Sequence, residues 1–296
     1  MKTKFPLYKL FSDAQMYLTI VDAFASGQKK LPLDMHNHVF EELVIVCNGS
    51  AIHVTNNTEC RVSSGDVFFI PVNYSHGFYE FDKYEAINIV FFRDRLNLPN
   101  ADLKNLAAYY ALFELEPELR AGRGSAPCLT LDSKELTQVK NIAEKIKKEQ
   151  TVKKVAYQYR VLSLFMEMEV FLVRCYEKIE SGESIILLRL GELINFLEHN
   201  YHKKMTSKDM AKIAKTSERT LHRLCCDMLG SPPKKYLLNL RLSKAKQILQ
   251  KEKVHISEVA FRVGFSDSNY FAKQYKKKFK CTPKESAKRR PAQKSM

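Results

Sequence analysis

The sequence predicts a multidomain α+β protein. We expect an N-terminal β-barrel with a pair of helices, and a C-terminal all-α domain in which two helix-turn-helix motifs are joined by a linker helix. Three observations lead to this prediction. Short apolar runs separated by turn residues occupy residues 1–130, the apolar period becomes helical near residue 133, and two stretches of the C-terminal third repeat each other.

The barrel is predicted at residues 1–130. Apolar runs at 43–46, 52–54, 67–70 and 86–92 are read as strands, with turns at 48–50, 56–57 and 63–66 and a stop at Pro71. Short strands separated by closely spaced turns are typical of sandwiches and barrels.

A helix pair is predicted at residues 131–180, with Ser133 as the N-cap of the first helix and the second helix at 156–179. The apolar residues of the second helix cover more than one narrow stripe. They either pack against the barrel or form a dimer seam, and periodicity does not separate these alternatives. Residues 181–184, with the sequence Ser-Gly-Glu-Ser, are predicted to be a linker.

The formal net charge of +15 is concentrated at the C-terminal end of the chain. Residues 184–296 carry 26 Lys and Arg against nine Asp and Glu, whereas residues 1–183 carry 22 against 24. A basic domain beside a nearly neutral one indicates a polyanion-binding domain attached to a domain with another task.

Several classes of protein are not supported by the sequence. The first five residues lack the apolar run of a secretory signal, and no run of 18 apolar residues would span a membrane. The seven cysteines include no Cys-x-x-Cys pair, which favours reduced thiols over a disulfide framework or zinc finger. We therefore expect a cytoplasmic protein.

The repeated unit is a short helix, a turn and a basic helix, which is the arrangement of a tandem DNA reader. Ala211 and Ala260 lie 49 residues apart, whereas Pro233 and Pro283 lie 50 apart, so one residue has been added in the turn. The tandem domain is predicted at 185–286, and residues 287–296 are predicted to be a disordered basic tail. A linker helix at 236–251 would span about 24 Å, against about 34 Å for one DNA turn.

The outer faces of the two basic helices carry the candidate DNA contacts, because these side chains donate hydrogen bonds to base edges or phosphates. Ser217 is the predicted cap of the first basic helix, and Ser266 or Asp267 that of the second. The predicted DNA-binding residues are Arg219, His222, Arg223, Ser268, Asn269, Lys273 and Lys276.

This C-terminal part resembles the AraC/XylS family of bacterial transcription regulators over about a hundred residues. The residues that carry the resemblance are Tyr236-Leu237, Arg241-Leu242, Ala245, Ile256-Ser257-Glu258-Val259-Ala260, Val263-Gly264-Phe265-Ser266-Asp267, Tyr270-Phe271, Phe279 and Thr282-Pro283. The resemblance implies that the first reader presents Arg219, His222 and Arg223 to the bases, and the second Ser268, Asn269 and Lys273. Three departures are Lys215 and Lys280 at usual glycine positions, and Ser286-Ala287 in place of Tyr-Arg.

The N-terminal part resembles both cupin motifs, through His36, His38, Glu42 and Gly49, and then Gly65, Pro71 and His76. This resemblance implies a jelly-roll barrel with an internal pocket. His36, His38, Glu42 and His76 are then effector-pocket residues, ligands of a divalent metal, or residues that only shape the barrel. We favour the effector pocket with no metal cofactor. Residues 39–46 and 52–54 resemble the rhamnose-responsive branch.

The combined patterns predict a sequence-specific, effector-responsive transcription regulator that is not an enzyme. The expected partners are an operator in double-stranded DNA, a small molecule such as a sugar, RNA polymerase and a second copy of the chain. By the family resemblance, the expected outcome is activation of a catabolic operon. The alternatives are a metal-dependent cupin enzyme with a basic appendage and a nonspecific nucleoid-type DNA binder.

Overall fold

The computed structural model describes residues 3–4, 17–27, 33–55, 58–96, 98, 102–123, 127–179, 182–252 and 254–288. The chain forms two compact units, Met1–Gly191 and Glu192–Met296. None of the helices in the described segments is both long and apolar enough to cross a bilayer.

The first unit is built on one eight-stranded sheet. Its path runs β1-β3-β7-β4-β6-β8, with β2 added to β7 and β5 to β4; all pairs are antiparallel except β1 with β3. The strands are β1 (Thr3–Lys4), β2 (Leu18–Gly27), β3 (Leu33–Asn37), β4 (Glu41–Thr55), β5 (Thr58–Ser63), β6 (Asp66–Ile70), β7 (His76–Phe91) and β8 (Leu129–Thr130). The predicted sheet-rich domain is thus present.

The predicted turn at 48–50 is wrong, because β4 continues through it as one strand of 15 residues. The pairing of β4 with β7 changes register at this point, and Gly49 has a φ of 65°. A β-bulge therefore bends the strand without ending it, and glycine supplies the left-handed backbone that the bulge needs. The turn at 63–66 is observed around Ser64 and Gly65, and the predicted tip at 56–57 lies outside the described residues.

Helices also occur within the region predicted to be entirely β. They comprise α1 (Ala107–Tyr110), a π-helical turn (Ala111–Leu115) and α2 (Glu116–Arg123), and short 3₁₀ turns occur at Arg93–Arg95 and Asp102–Asn105. Residues 107–113 are all alanine, leucine or aromatic, so no polar position there marks a helical period. A short apolar run of this kind does not distinguish a buried helix from a buried strand.

The helix pair follows as α3 (Ser133–Val152) and α4 (Tyr157–Glu177). The N-cap of α3 is Asp132, not Ser133, because Asp132 and Glu135 form a reciprocal capping box. Most apolar residues of α4 are buried within the unit, and Phe165 packs on Phe91 of β7 with ring centroids 4.8 Å apart. The structure thus gives most of the broad apolar surface of α4 a packing role.

The predicted linker at 181–184 is also wrong at its described positions, since Gly182 begins α5 (Gly182–Asn200). The hydroxyl of Ser184 donates a hydrogen bond to the carbonyl of Cys128, which anchors the first turn of the helix. Small polar residues suggested a flexible segment, but this long-range contact fixes them. The division between the two units falls within α5, after Gly191.

The second unit contains two helix-turn-helix motifs, α6–α7 and α9–α10, with α8 between them. After the C-terminal half of α5, its helices are α6 (Ser207–Ile213), α7 (Glu218–Leu229), α8 (Pro233–Lys251), α9 (Ile256–Arg262), α10 (Ser268–Phe279) and α11 (Pro283–Lys288). Ser217 caps α7 as predicted, and Asp267, not Ser266, caps α10. Residues 287–288 end α11 instead of beginning a disordered tail, because buried Ser286 accepts a hydrogen bond from Tyr275; residues 289–296 lie outside the described part.

Residues with left-handed backbone mark turns or helix ends of this unit, and three of them bear on the resemblance. Gly264 has a φ of 89°, and Lys215 and Lys280 adopt φ values of 49° and 58°. The two lysines stand where the resemblance places glycine, and they keep the backbone conformation that glycine adopts most easily. The two departures therefore change the side chain and leave the local geometry in place.

We expect Gly264→Ala to lower the free energy of unfolding of the second unit by about 2–4 kcal/mol, since a left-handed alanine is strained and its Cβ overlaps a neighbour. That Cβ would lie 2.5 Å from the carbonyl oxygen of His202. Gly230→Ala is the matched control, because φ there is 62° and the added Cβ meets no atom within 4 Å. This control should lower the free energy of unfolding, measured by urea denaturation, by about 1 kcal/mol. Equal losses of unfolding free energy in the two variants would show that the close approach of His202 to Gly264 does not contribute.

Candidate nucleic-acid interface and effector pocket

The helices α7 and α10 present the same pattern of buried and exposed side chains. Leu221 and Leu224 of α7, and Phe271 and Tyr275 of α10, are buried in the second unit. The predicted DNA-binding residues Arg219, His222, Arg223, Asn269, Lys273 and Lys276 are exposed, and Ser268 is half-buried. Both helices therefore keep one face for the core and offer a polar, mostly basic face to solvent.

Arg223 and Lys273 occupy equivalent places in the two readers. Each is the sixth residue of a helix of 12 residues, and the helices begin 50 residues apart, at Glu218 and Ser268. Neither side chain makes a hydrogen bond or ion pair with another described residue. Both cations therefore remain available to accept a phosphate or base partner.

Other basic residues of the unit are engaged within the fold. The ammonium of Lys278 donates to the carbonyl of Asn239 and the hydroxyl of Ser243, which ties α10 to α8. The guanidinium of Arg241 donates to the carbonyls of Tyr201 and Lys203, which follow α5. Burial lowers the pKa of Arg241. These contacts hold α8 against α10 and against the residues that follow α5. The charged groups of Lys278 and Arg241 therefore have a structural role.

The first unit contains a cavity of about 240 Å³ that all four predicted pocket residues line. His36 lies on β3, His38 follows that strand, Glu42 is near the start of β4 and His76 begins β7. Their convergence comes from strand pairing, since β7 pairs with both β3 and β4. The full lining is Val21, Ala23, Phe24, Ala25, His36, His38, Phe40, Glu42, His76, Phe78, Phe81, Tyr84, Asn88 and Val90.

The polar end of this cavity is a compact cluster of His38, Glu42 and His76. His38 Nδ1 lies 2.6 Å from the carbonyl oxygen of Phe40, and its Nε2 lies 3.2 Å from Glu42 Oε2. His76 Nε2 is 3.7 Å from the same carboxylate oxygen. Burial, together with the neighbouring histidines and Arg120, lowers the pKa of His76 well below its usual value. His76 is therefore neutral near pH 7, with a ring-nitrogen lone pair available.

Three of the four residues also meet the requirements of a metal site. The ligand atoms of His38, Glu42 and His76 all lie within 4.8 Å of one another, and all three residues are buried. Two imidazole nitrogens and a carboxylate oxygen form a donor set that suits divalent transition metals. The orphaned ring nitrogens of His76 among the described residues agree with this chemistry. The residues present therefore fit a metal ion, which would supply a Lewis-acidic centre at the cavity wall.

A second buried polar network lies next to the cluster, and its residues were not among those predicted from the sequence. Arg120 of α2 donates through Nε to Glu116, through Nη2 to the carbonyl of Phe69 and through Nη1 to His53 Nδ1, at 2.9, 2.6 and 3.1 Å. Burial and the Arg120 charge lower the pKa of His53, whose ring centroid is 5.8 Å from that of His76. The only sign of this network in the local sequence is the pair of opposite charges four residues apart, Glu116 and Arg120.

Two family models match the two units. A helix-turn-helix domain model matches residues 210–289, and an AraC-like ligand binding domain model matches residues 28–85. The HTH-type transcriptional activator RhaS of Enterobacter sp. (strain 638) is 28% identical over 277 residues, which cover 90% of this chain and 94% of that protein. RhaS of Escherichia coli (strain SMS-3-5 / SECEC) is 27% identical over 276 residues with the same coverage.

The C-terminal part is also similar to a solved structure, a transcriptional regulator of Chromobacterium violaceum described as an AraC-type DNA-binding domain-containing protein. The two are 34% identical, over 36% of this chain and 95% of that one, with a TM-score of 0.34. The two model matches and the similarity to the RhaS proteins over most of the chain agree on one family. The chain therefore belongs to the AraC/XylS family of transcription regulators, and it is a regulator and not the metal-dependent enzyme that its four pocket residues would otherwise suggest.

Proposed function

We propose that the protein is a sequence-specific DNA-binding activator whose affinity for its operator responds to a small molecule bound in the N-terminal cavity. The observation that carries the DNA-binding part is the equivalent placement of Arg223 and Lys273 on two helices of equal length, exposed and unpaired among the described residues. Two copies of one reading surface fit two successive segments of a duplex.

The two readers make two kinds of contact with DNA, one to base edges and one to phosphates. Short side chains at the start of α10, such as Ser268 and Asn269, let the helix approach base edges in the major groove. The surrounding lysines contact phosphates, so that affinity falls steeply as salt rises. The connecting helix α8 has 19 residues and is about 28 Å long at about 1.5 Å per residue. With its flanking turns, this length approaches one turn of DNA, about 34 Å.

The effector class follows from the chemistry of the cavity lining. Among the described residues that line the cavity there is no lysine or arginine, and Glu42 contributes an acid, so a negatively charged effector is disfavoured. Asn88 Oδ1 lacks a hydrogen-bond partner in the described structure and is an acceptor for a hydroxyl group. Phe40, Phe78 and Tyr84 supply an apolar wall. A neutral polyhydroxylated molecule, such as a sugar with one apolar face, satisfies both sides of the cavity.

Further partners are part of this proposal. The similar RhaS proteins are named transcriptional activators, which supports activation as the direction of regulation. The form of activation that we propose is contact with RNA polymerase at a catabolic operon. Val155, in the turn between α3 and α4, and Tyr159, in the first turn of α4, are 101% and 81% exposed, and these two apolar side chains are where we place contact with a second copy of the chain. As a DNA-binding regulator, the protein would act in the cytoplasm, where the bacterial genome lies.

A binding-site selection with the full chain, repeated with and without a panel of neutral sugars and the corresponding sugar acids, tests this function. We expect one discrete DNA consensus, and we expect a neutral sugar, but not its acid, to change the affinity for it. Asn88→Leu, which removes the acceptor with little change in volume, should abolish the sugar response and preserve affinity without sugar.

The selection also addresses the alternatives. Recovery of unrelated sequences with equal affinity would identify a nonspecific nucleoid-type binder. A response to sugar acids alone would overturn the effector class but leave the DNA-binding part intact.

A further inference from the structure

We propose that one helical segment, residues 107–123, carries the effector signal from the wall of the cavity to α5. The segment consists of α1, the π-helical turn and α2, which follow one another without a break, and we call it the relay segment. It receives the signal at Arg120 and passes it on at Ala107, which contacts Gly191 of α5. This inference rests on the proposed function, because it concerns how occupancy of the cavity changes the affinity for DNA.

The signal enters the relay segment through His53, which contacts both the cavity wall and Arg120. The ring centroid of His53 is 4.7 Å from that of Phe78 and 5.8 Å from that of His76, and both of these residues line the cavity. His53 Nδ1 also accepts a hydrogen bond from Arg120. His53 and Arg120 are 0% and 2% exposed. An effector that displaces either ring therefore moves His53 against Arg120, because a close-packed interior transmits strain.

The relay segment is held along its length, so that it moves as one body. The ion pair of Arg120 with Glu116 joins two successive helical turns. About 20 Å separate Arg120 from Ala107 at a rise of about 1.5 Å per residue. A buried helix conveys a shift over this distance because it cannot move at one end without repacking the core. Its side chains that are at most 4% exposed are Ala108, Tyr109, Ala111, Leu112, Phe113, Leu115, Glu116, Leu119 and Arg120.

The π-helical turn Ala111–Leu115 gives the relay segment two arrangements. Single π turns inside α-helices are rare in proteins and are found frequently at functional sites. Their hydrogen bonds join residues five apart, and a return to α-helical bonds between residues four apart would shift α1 relative to α2. Coupling between two sites requires an element with two such states, and the effector needs only to bind one of them better.

The signal leaves the relay segment where Ala107 meets α5. Gly191 has no side chain, and the backbone of Ala107 fills the space that one would occupy. A Cβ added to Gly191 would overlap the carbonyl oxygen of Ala107 and lie 3.2 Å from its Cα. Helix α5 continues beyond Gly191 to Asn200, and this continuation belongs to the second unit. A shift at Ala107 therefore acts directly on a helix that both units share.

Gly191→Ala in the full chain tests the proposal, because the added Cβ forces α5 away from Ala107 and changes no residue of the cavity or the readers. The probe is the neutral sugar of the panel that most changes the operator affinity of the wild-type chain, by about 5–150-fold. In Gly191→Ala this change should fall to about twofold or less, while the operator is still bound. The Kd of the DNA-free variant for the sugar, measured by calorimetry, should stay within about twofold of wild type.

Two further variants control the experiment. Gly122→Ala is the matched control in the relay segment, because Gly122 is exposed and its added Cβ meets no atom within 4 Å. It should keep the full sugar response. The double variant Arg120→Met with Glu116→Leu interrupts the entry of the signal and leaves no unpaired charge in the core. It should lose the response, and it decides the question if circular dichroism shows that Gly191→Ala does not fold.

Three results would overturn the relay. A full sugar response in folded Gly191→Ala or in the double variant would show that the signal takes another route, and the proposed function would stand. Loss of sugar binding together with the response would assign the altered residues to the cavity. If no sugar of the panel changes the operator affinity of the wild-type chain, the proposed effector class fails and the relay fails with it. That last result is seen without any variant, so the two failures are distinguishable.

Discussion

Replacing Arg120 with alanine is expected to lower the free energy of unfolding of the first unit by about 3–5 kcal/mol, the usual loss when one partner of a buried ion pair is removed. Arg120 is 2% exposed and donates to Glu116, His53 and the carbonyl of Phe69. Its removal leaves the fully buried carboxylate of Glu116 without its counter-charge, and burial already raises the pKa of that group. Urea unfolding followed by circular dichroism and tyrosine fluorescence measures the loss.

Two variants separate the effect of the buried charge from that of lost volume. Arg61→Ala is the exposed control: Arg61 and Glu80 are 3.6 Å apart and about half exposed, so their pair should contribute about 0–1 kcal/mol. The double variant Arg120→Met with Glu116→Leu should recover most of the loss, because it leaves no unpaired charge in the core. A loss at Arg120 no larger than that at Arg61 would contradict a structural role for the network.

Replacing Arg223 with alanine is expected to weaken binding to the selected operator by about 1–3 kcal/mol, the range for one side chain that reads a base. Arg223 is exposed on α7 at the position that Lys273 occupies on α10. Fluorescence anisotropy with the operator and with a scrambled duplex of equal length measures the change in specificity. Lys273→Ala should have a similar effect, restricted to the other half of the site.

A matched control comes from the same unit. Arg262 is exposed but forms an ion pair with Glu252 at 2.7 Å, so Arg262→Ala should leave the preference for the operator unchanged. If Arg223→Ala reduces affinity equally for operator and scrambled DNA, Arg223 contacts a phosphate. If Arg262→Ala costs as much specificity as Arg223→Ala, the equivalence of the two readers does not explain recognition.

Elements defined by local pattern were predicted more reliably than those defined by distant contacts. The caps and buried faces of α7 and α10 followed from residues a few positions apart, and the structure places them as predicted. The strand β4 was divided at Gly49 because a glycine after asparagine resembles a turn, whereas its pairing with β7 makes it a bulge. Residues 182–184 resembled a linker, but the bond from Ser184 to Cys128 makes them helical.

The sequence by itself determined the duplicated reader, the basic character of the second unit and the four residues around the cavity, because repeats, charge and motif spacing are properties of the chain. Only the tertiary structure decided that His38, Glu42 and His76 come within 4.8 Å while His36 stands aside, and that Arg120 reaches His53 from a helix the sequence did not reveal. These positions depend on which strands pair and in which register. Pairing is settled by burial across the whole sheet, so no local window of residues contains it.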